Sequence, residues 1–111
     1  MAKNNIHELK GTAIELYNLI DYQKSSVVSS QLLKRETGNI TLFAFDKGEG
    51  LTEHTSPFDA FVYVYDRVAE VIISGKHHTI GNGKMIIMPT NEPQELKANE
   101  RFKMMLVMIR S

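Results

Sequence analysis

The chain has 111 residues, and at about 100 to 200 residues per domain that is room for one domain and not two. Thirteen basic and thirteen acidic side chains cancel, so no long-range field gathers a polyanion, and neither nucleic acid nor an anionic membrane is expected as a partner. There is no cysteine, which removes thiolate nucleophiles, disulfides, Cys-ligated zinc and iron–sulfur clusters. The longest apolar run, Met104 to Ile109, has six residues, against about 20 for a membrane span, and with no signal-like apolar stretch at the start the expected location is the cytoplasm.

In chain order, residues 13–22 carry apolar positions at Ile14, Leu16, Tyr17, Leu19 and Ile20, a pattern that mixes both periods and fits a brief strand or one helical turn. From residue 27 onward, runs rich in β-branched and aromatic residues alternate with turn chemistry: Val27 to Leu33, Thr41 to Asp46, Phe61 to Tyr65, Val68 to Ser74, His77 to Ile80, Met85 to Met88, Gln94 to Ala98 and Phe102 to Ile109. Gly48-Glu-Gly50, Ser74-Gly75-Lys76 and Gly81-Asn-Gly83 supply positive-φ positions for hairpins. Asp66-Arg67 joins two β runs without a glycine, so either another residue accepts a tight conformation or the turn is wider than two residues. Pro89 and Pro93 bound the segment after Met-Ile-Ile-Met, since neither donates to a ladder. Short strands at this density bury both faces most economically in an all-β barrel or jelly roll.

The spacing of these residues resembles the cupin family, small jelly-roll barrels whose first motif reads G-x5-H-x-H-x3-E-x6-G and whose second reads G-x5-P-x-G-x2-H-x3-N. Gly48 is followed after five residues by His54, with Ser56, Ala60 and Arg67 where the second His, the Glu and the closing Gly stand. Gly83 is followed after five residues by Pro89, with Asn91, Gln94 and Ala98 in place of the Gly, His and Asn. The resemblance covers residues 38–110, and in detail the sequence looks like the small single-domain bacterial members that carry the stretch Glu53 to Ala60. It implies an amino-terminal segment, residues 1–37, packing on a cupin barrel of residues 38–111, in a single domain with at most short helical turns near the start.

In metal-binding members of that family four ligands point into the barrel, and only His54 of the four is kept here. Ser56 is a neutral hydroxyl, Ala60 has no donor and Gln94 offers an amide oxygen, so neither a second imidazole nor a carboxylate is present for a first-row metal. No metal and no cofactor is expected. Glu53 and Asp59 are one residue out of phase with the ligand positions and should face away. His77 and His78 are adjacent, which on a strand sends them to opposite sides as solvated edge residues. The methionines at 85, 88, 104, 105 and 108 read as adaptable packing rather than soft-metal ligands. Gly81-Asn-Gly-Lys84 lacks the Ser/Thr and the first Gly of a phosphate loop.

If His54 and Ser56 face inward, parity sends Ala60, Val62 and Val64 inward and turns Phe61, Tyr63 and Tyr65 outward. That aromatic face is either covered by the amino-terminal segment or buried in a homodimer interface. The functional expectation is a metal-free barrel that binds a small organic molecule in its mouth through His54, Ser56, Ala60 and Gln94. The alternatives are a cupin enzyme of the isomerase, dioxygenase or decarboxylase class, with His54 as acid/base or as part of a weak metal site, and a dimeric module with a barrel packed shut.

Overall fold

The β-branched and aromatic runs form eight antiparallel strands in a computed structural model of the chain, which describes residues 9–110: β1 (Val27–Arg35), β2 (Gly38–Phe45), β3 (Gly50–His54), β4 (Ala60–Ile73), β5 (Lys76–Gly81), β6 (Met85–Met88), β7 (Gln94–Lys97) and β8 (Phe102–Ile109). Residues 13–22 contribute a single 3-10 turn, Leu16–Asn18, resolving the ambiguous periodicity in favour of a turn. The sheet runs in the order β1-β2-β8-β4-β7-β3, with β5 and β6 also paired to β4, and curls on itself as an all-β, barrel-like jelly roll.

β4 joins the two halves. Its first residues, Ala60 to Tyr63, pair with β6 and β8, and its last, Glu70 to Ile73, pair with β5 and β7. The Asp66-Arg67 step is therefore no loop but a bend inside one strand. The register with β8 shifts between Val64 and Asp66, and Arg67 takes φ of 61°, a left-handed conformation that costs a non-glycine residue about 1–2 kcal/mol. The neighbouring hairpin uses Ser74 at φ 49° and Gly75 at φ 80°, the two positive values that match a tight turn to the twist of its strands.

Strand parity decides what is inside. Phe45, Val62, Val64, Val71, Leu96, Phe102 and Met104 form the inner core, and Phe45 stacks on Phe102 with ring centroids 4.7 Å apart. A second cluster lies on the outer face, where Leu16, Leu19, Ile20 and Tyr22 pack on Val28, Leu32, Leu42, Ala44, Tyr65 and Met105. Within the expected 1–37 segment, then, β1 is an edge strand of the sheet, and residues 9–26 supply the cover across its outer side.

Lys103 pins that cover. It is 1% exposed, and its Nζ donates to the carbonyls of Tyr17 and Ile20, both at 2.7 Å. The ammonium also lies over the Tyr17 ring, 3.7 Å from its centroid, so a buried charge whose desolvation would otherwise be costly has close partners. Beside it Tyr22 donates to Asp66 at 2.5 Å. Burial first, and then this hydrogen bond to a carboxylate, push the Tyr22 phenol well above its ordinary range.

Glycine closes the sheet at one further point. A Cβ on Gly50 would run into the Leu96 carbonyl oxygen across the β3–β7 pair, whereas Gly81 has open space around it. Gly50→Ala should therefore lower stability by about 1–3 kcal/mol through forced strand separation, while Gly81→Ala stays within about 0.5 kcal/mol. Urea midpoints of the two variants against the parent chain check this.

Candidate functional site

Cross-strand pairing stacks the inner side chains in layers along the barrel. At one end Phe45 pairs with Phe102, and this aromatic floor is fully buried. Above it Phe43 and Val64 flank Met104, and then Thr41, Leu106, Val62 and Ile86 form a row across four strands. The last row is Asn39, Met108, Ala60 and Met88. On the opposing wall Gln94 pairs with Ile73 and with His54, one layer beyond Leu96, Val71 and Leu51. The bend in β4 brings both its ends, Ala60 and Ile73, to this same open end, and the 89–93 segment links them.

All four positions singled out in the sequence thus belong to the mouth, in unlike states. Ala60 is buried and adds only a methyl wall. Ser56 is buried, and its Oγ accepts from the Phe58 N–H at 3.2 Å. The His54 ring is exposed, and its Nδ1 lies 2.9 Å from the Thr52 carbonyl oxygen. A carbonyl only accepts, so Nδ1 carries the proton and Nε2 is left as the available ring atom. Gln94 is 2% exposed, and its Oε1 is buried without a hydrogen-bond partner.

Three further residues at the rim, Arg110, Asn39 and Phe58, give no signal in the sequence. Arg110 follows Met108 with inward parity, and its N–H donates to the Thr37 carbonyl at 2.7 Å. With the Asn39 amide turned so that Oδ1 faces the guanidinium, that oxygen accepts from Nη2 at 2.6 Å and Nη1 at 3.2 Å. The guanidinium carbon lies 5.9 Å from the centre of the Phe58 ring. A lone arginine after a strand has no motif to announce it, and only the parity of β8 could have suggested where it goes.

The histidine pair is divided between environments. His77 and Glu70 form an ion pair on the outer side, with Asn99 donating to the other Glu70 oxygen at 2.7 Å. The His77 contact, followed by the Asn99 one, holds the Glu70 carboxyl below its ordinary range. His78, opposite Val71, is half-buried rather than a fully solvated edge residue.

Neither a protein-family model nor a curated protein matches the sequence. Solved structures do. The chain is similar to a conserved protein of unknown function from Streptococcus pyogenes, with 31% identity and a TM-score of 0.87 over 91% of this chain and 89% of that one. It is similar to a cupin 2 conserved barrel domain protein from Leptotrichia buccalis, with 32% identity and a TM-score of 0.84 over 86% of this chain. It spans 47% of the Leptotrichia protein, about half its length. A cupin superfamily protein from Desulfitobacterium hafniense shares the fold at 20% identity, with a TM-score of 0.86 over 92% of this chain and 94% of that one.

The donor set at the mouth does not fit the metal of metal-binding cupins. One imidazole and one amide oxygen are the available donors of the four positions, since the Ser56 oxygen already accepts a backbone N–H and Ala60 has none. Among the described residues no group of three His, Cys, Asp or Glu side chains converges as a metal site. What the mouth offers is an apolar inner wall with one orphaned acceptor opposite it. An orphaned buried carbonyl costs about 1–3 kcal/mol, so Gln94→Leu, which keeps the volume and removes the acceptor, should raise stability by about 1 kcal/mol in urea denaturation. A loss of stability would mean that the amide is already satisfied in the folded chain.

Proposed function

The chain belongs to the cupin superfamily, and on that premise we propose that it binds a small organic molecule in the barrel mouth without a metal. The observation that carries the reading is the buried, unpartnered Gln94 Oε1 on the inner face. Folding rarely leaves such an acceptor empty unless something else fills it. The wall opposite it is apolar, from Ala60, Met88, Leu106 and Met108, as is usual where a few polar groups fix a ligand's orientation. The floor is filled by Phe45, Phe102 and Met104, so a ligand entering at the open end meets the upper layers alone and is a small one. His54 Nε2 at the rim is the second polar handle.

The enzymatic alternative needs a partner to tune or relay protons for His54. Its Nδ1 is held by a backbone oxygen, and the one His–carboxylate ion pair among the described residues, His77 with Glu70, lies on the outer face. Binding is therefore the better-supported reading.

Native mass spectrometry of freshly purified chain tests it. A retained organic mass is expected, absent from Gln94→Leu and weakened in His54→Ala by about 1–3 kcal/mol. Stoichiometric transition metal that disappears with His54 would overturn it.

We also propose that the chain is a homodimer through the outer face of the β1-β2-β8-β4-β6 half. Leu33, Ile40, Val107, Phe61 and Ile87 form an unbroken apolar row across these five strands. Ile87 is 56% exposed and the adjoining Ile109 58%. Tyr63 and Met85 extend the face on its next row, whereas Tyr65, one of the three aromatic residues assigned to it from sequence, packs in the outer cluster with the 9–26 cover. A row without charge is self-complementary about a two-fold axis. Sedimentation equilibrium should give a dimer at tens of micromolar and a monomer for Tyr63→Glu; a monomeric parent chain would refute the proposal.

A further inference from the structure

Resting on the reading of the mouth as a small-molecule site, we infer that Arg110 is its specificity element, and that the ligand is a small organic acid held by its carboxylate. Parity places Arg110 two residues beyond Met108 on the inner face of β8's end, and three contacts hold the residue there rather than leaving it to solvent. Its N–H is fixed on Thr37, its guanidinium donates to Asn39 Oδ1, and the Phe58 ring lies beside it. An arginine just past the end of a strand ordinarily keeps its rotamer freedom. Here an amide oxygen and an aromatic ring restrict it at the open end of the barrel.

Among the described residues no carboxylate lies within ion-pairing distance of the guanidinium. Two acidic side chains of the same end are directed to other partners: Asp59 Oδ1 accepts from the Thr90 N–H at 2.8 Å, and Glu92 Oε1 accepts from the Ser74 hydroxyl at 2.9 Å. Asn39 supplies a neutral acceptor, so it orients the guanidinium without cancelling its charge and leaves the remaining N–H donors for a second acceptor. A planar fork of donors matches a carboxylate in two parallel hydrogen bonds.

The neighbouring surface sets the rest of the molecule. Met108 pairs with both Asn39 and Ala60, and Leu106 lies one layer below, so the group attached to the carboxylate meets methylene and thioether surface and is apolar and compact. Amines are disfavoured at the same place by repulsion from the guanidinium. Sequence alone could not reach this, because a frame built on the four ligand positions directs attention to His54 and Gln94 and stops short of residue 110.

The experiment compares matched pairs of probes, benzoate with benzamide and isobutyrate with isobutyramide, titrated into the full chain and followed by amide chemical shifts. The acids should bind at least tenfold more tightly than their amides, with shifts at residues 37–41 and 106–110. Arg110→Gln, which keeps a donor for Asn39 but no charge, should remove that preference, and Asn39→Ala should weaken acid binding while retaining some preference. Equal binding of acids and amides in the mouth would overturn the carboxylate assignment and leave the mouth as a ligand site. Unchanged acid affinity in a folded Arg110→Gln chain, or shifts confined to other faces, would overturn the role of Arg110. Binding of neither class would overturn this inference and the reading it rests on together.

Discussion

One strand with four partners is the constraint on which this fold depends. β4 pairs with β5, β6, β7 and β8, so every strand except the β1–β2 hairpin and β3 touches it directly. A straight strand of that length could serve one sheet only. The bend at Asp66 and Arg67 lets the first half line one wall and the second half the other, and its cost is a left-handed arginine. Ladder hydrogen bonds on both sides of the bend over-determine that conformation. The same bend creates the mouth, since Ala60 and Ile73 reach one end of the barrel only because the chain between them turns.

Polar groups are distributed sparingly around that geometry, and two orphaned ones among the described residues differ in meaning. The Tyr65 hydroxyl and Gln94 Oε1 are both buried without partners. Tyr65 lies in the outer cluster, and burial raises its phenol above the ordinary range, keeping it neutral. Its ring contributes packing whether or not the hydroxyl is bonded. Gln94 lies between Ile73 and His54 across the strands near the open end, where folding alone asks for no amide. A polar side chain kept where packing does not require it is the kind of local inconsistency that functional sites show.

Much of this is legible in the residues because strand formers and turn formers agree with the fold along most of the chain. Met85–Met88 and Phe102–Ile109 are found as read, the first of them closed by Pro89, which cannot donate to a ladder. β3 escapes a reading of the sequence because Gly-Leu-Thr-Glu-His has a single large apolar side chain. It is an outer strand whose last three residues are exposed, so burial imposes little pattern on it. β4 reads as two runs because Asp66 and Arg67 are weak strand formers, and only pairing with four neighbours reveals their continuity. The inward set Ala60, Val62 and Val64 follows from parity alone. Parity also sends Lys103 outward, but it carries no information that a separate segment covers that side, so the burial of this lysine is visible only in three dimensions.

That lysine has a consequence for how the protein tolerates change. Two of its acceptors on the covering segment are main-chain carbonyls, those of Tyr17 and Ile20, and no side-chain substitution deletes a carbonyl. Those two contacts recognise the path of the strap, while the ring of Tyr17 over the ammonium fixes its spelling at that position. Positions of the cover that do not face the ammonium can drift, provided that they stay apolar underneath and keep the turn at 16–18. A foreign segment tracing the same turn, with an aromatic ring set over the ammonium, could be grafted onto the barrel and held by it.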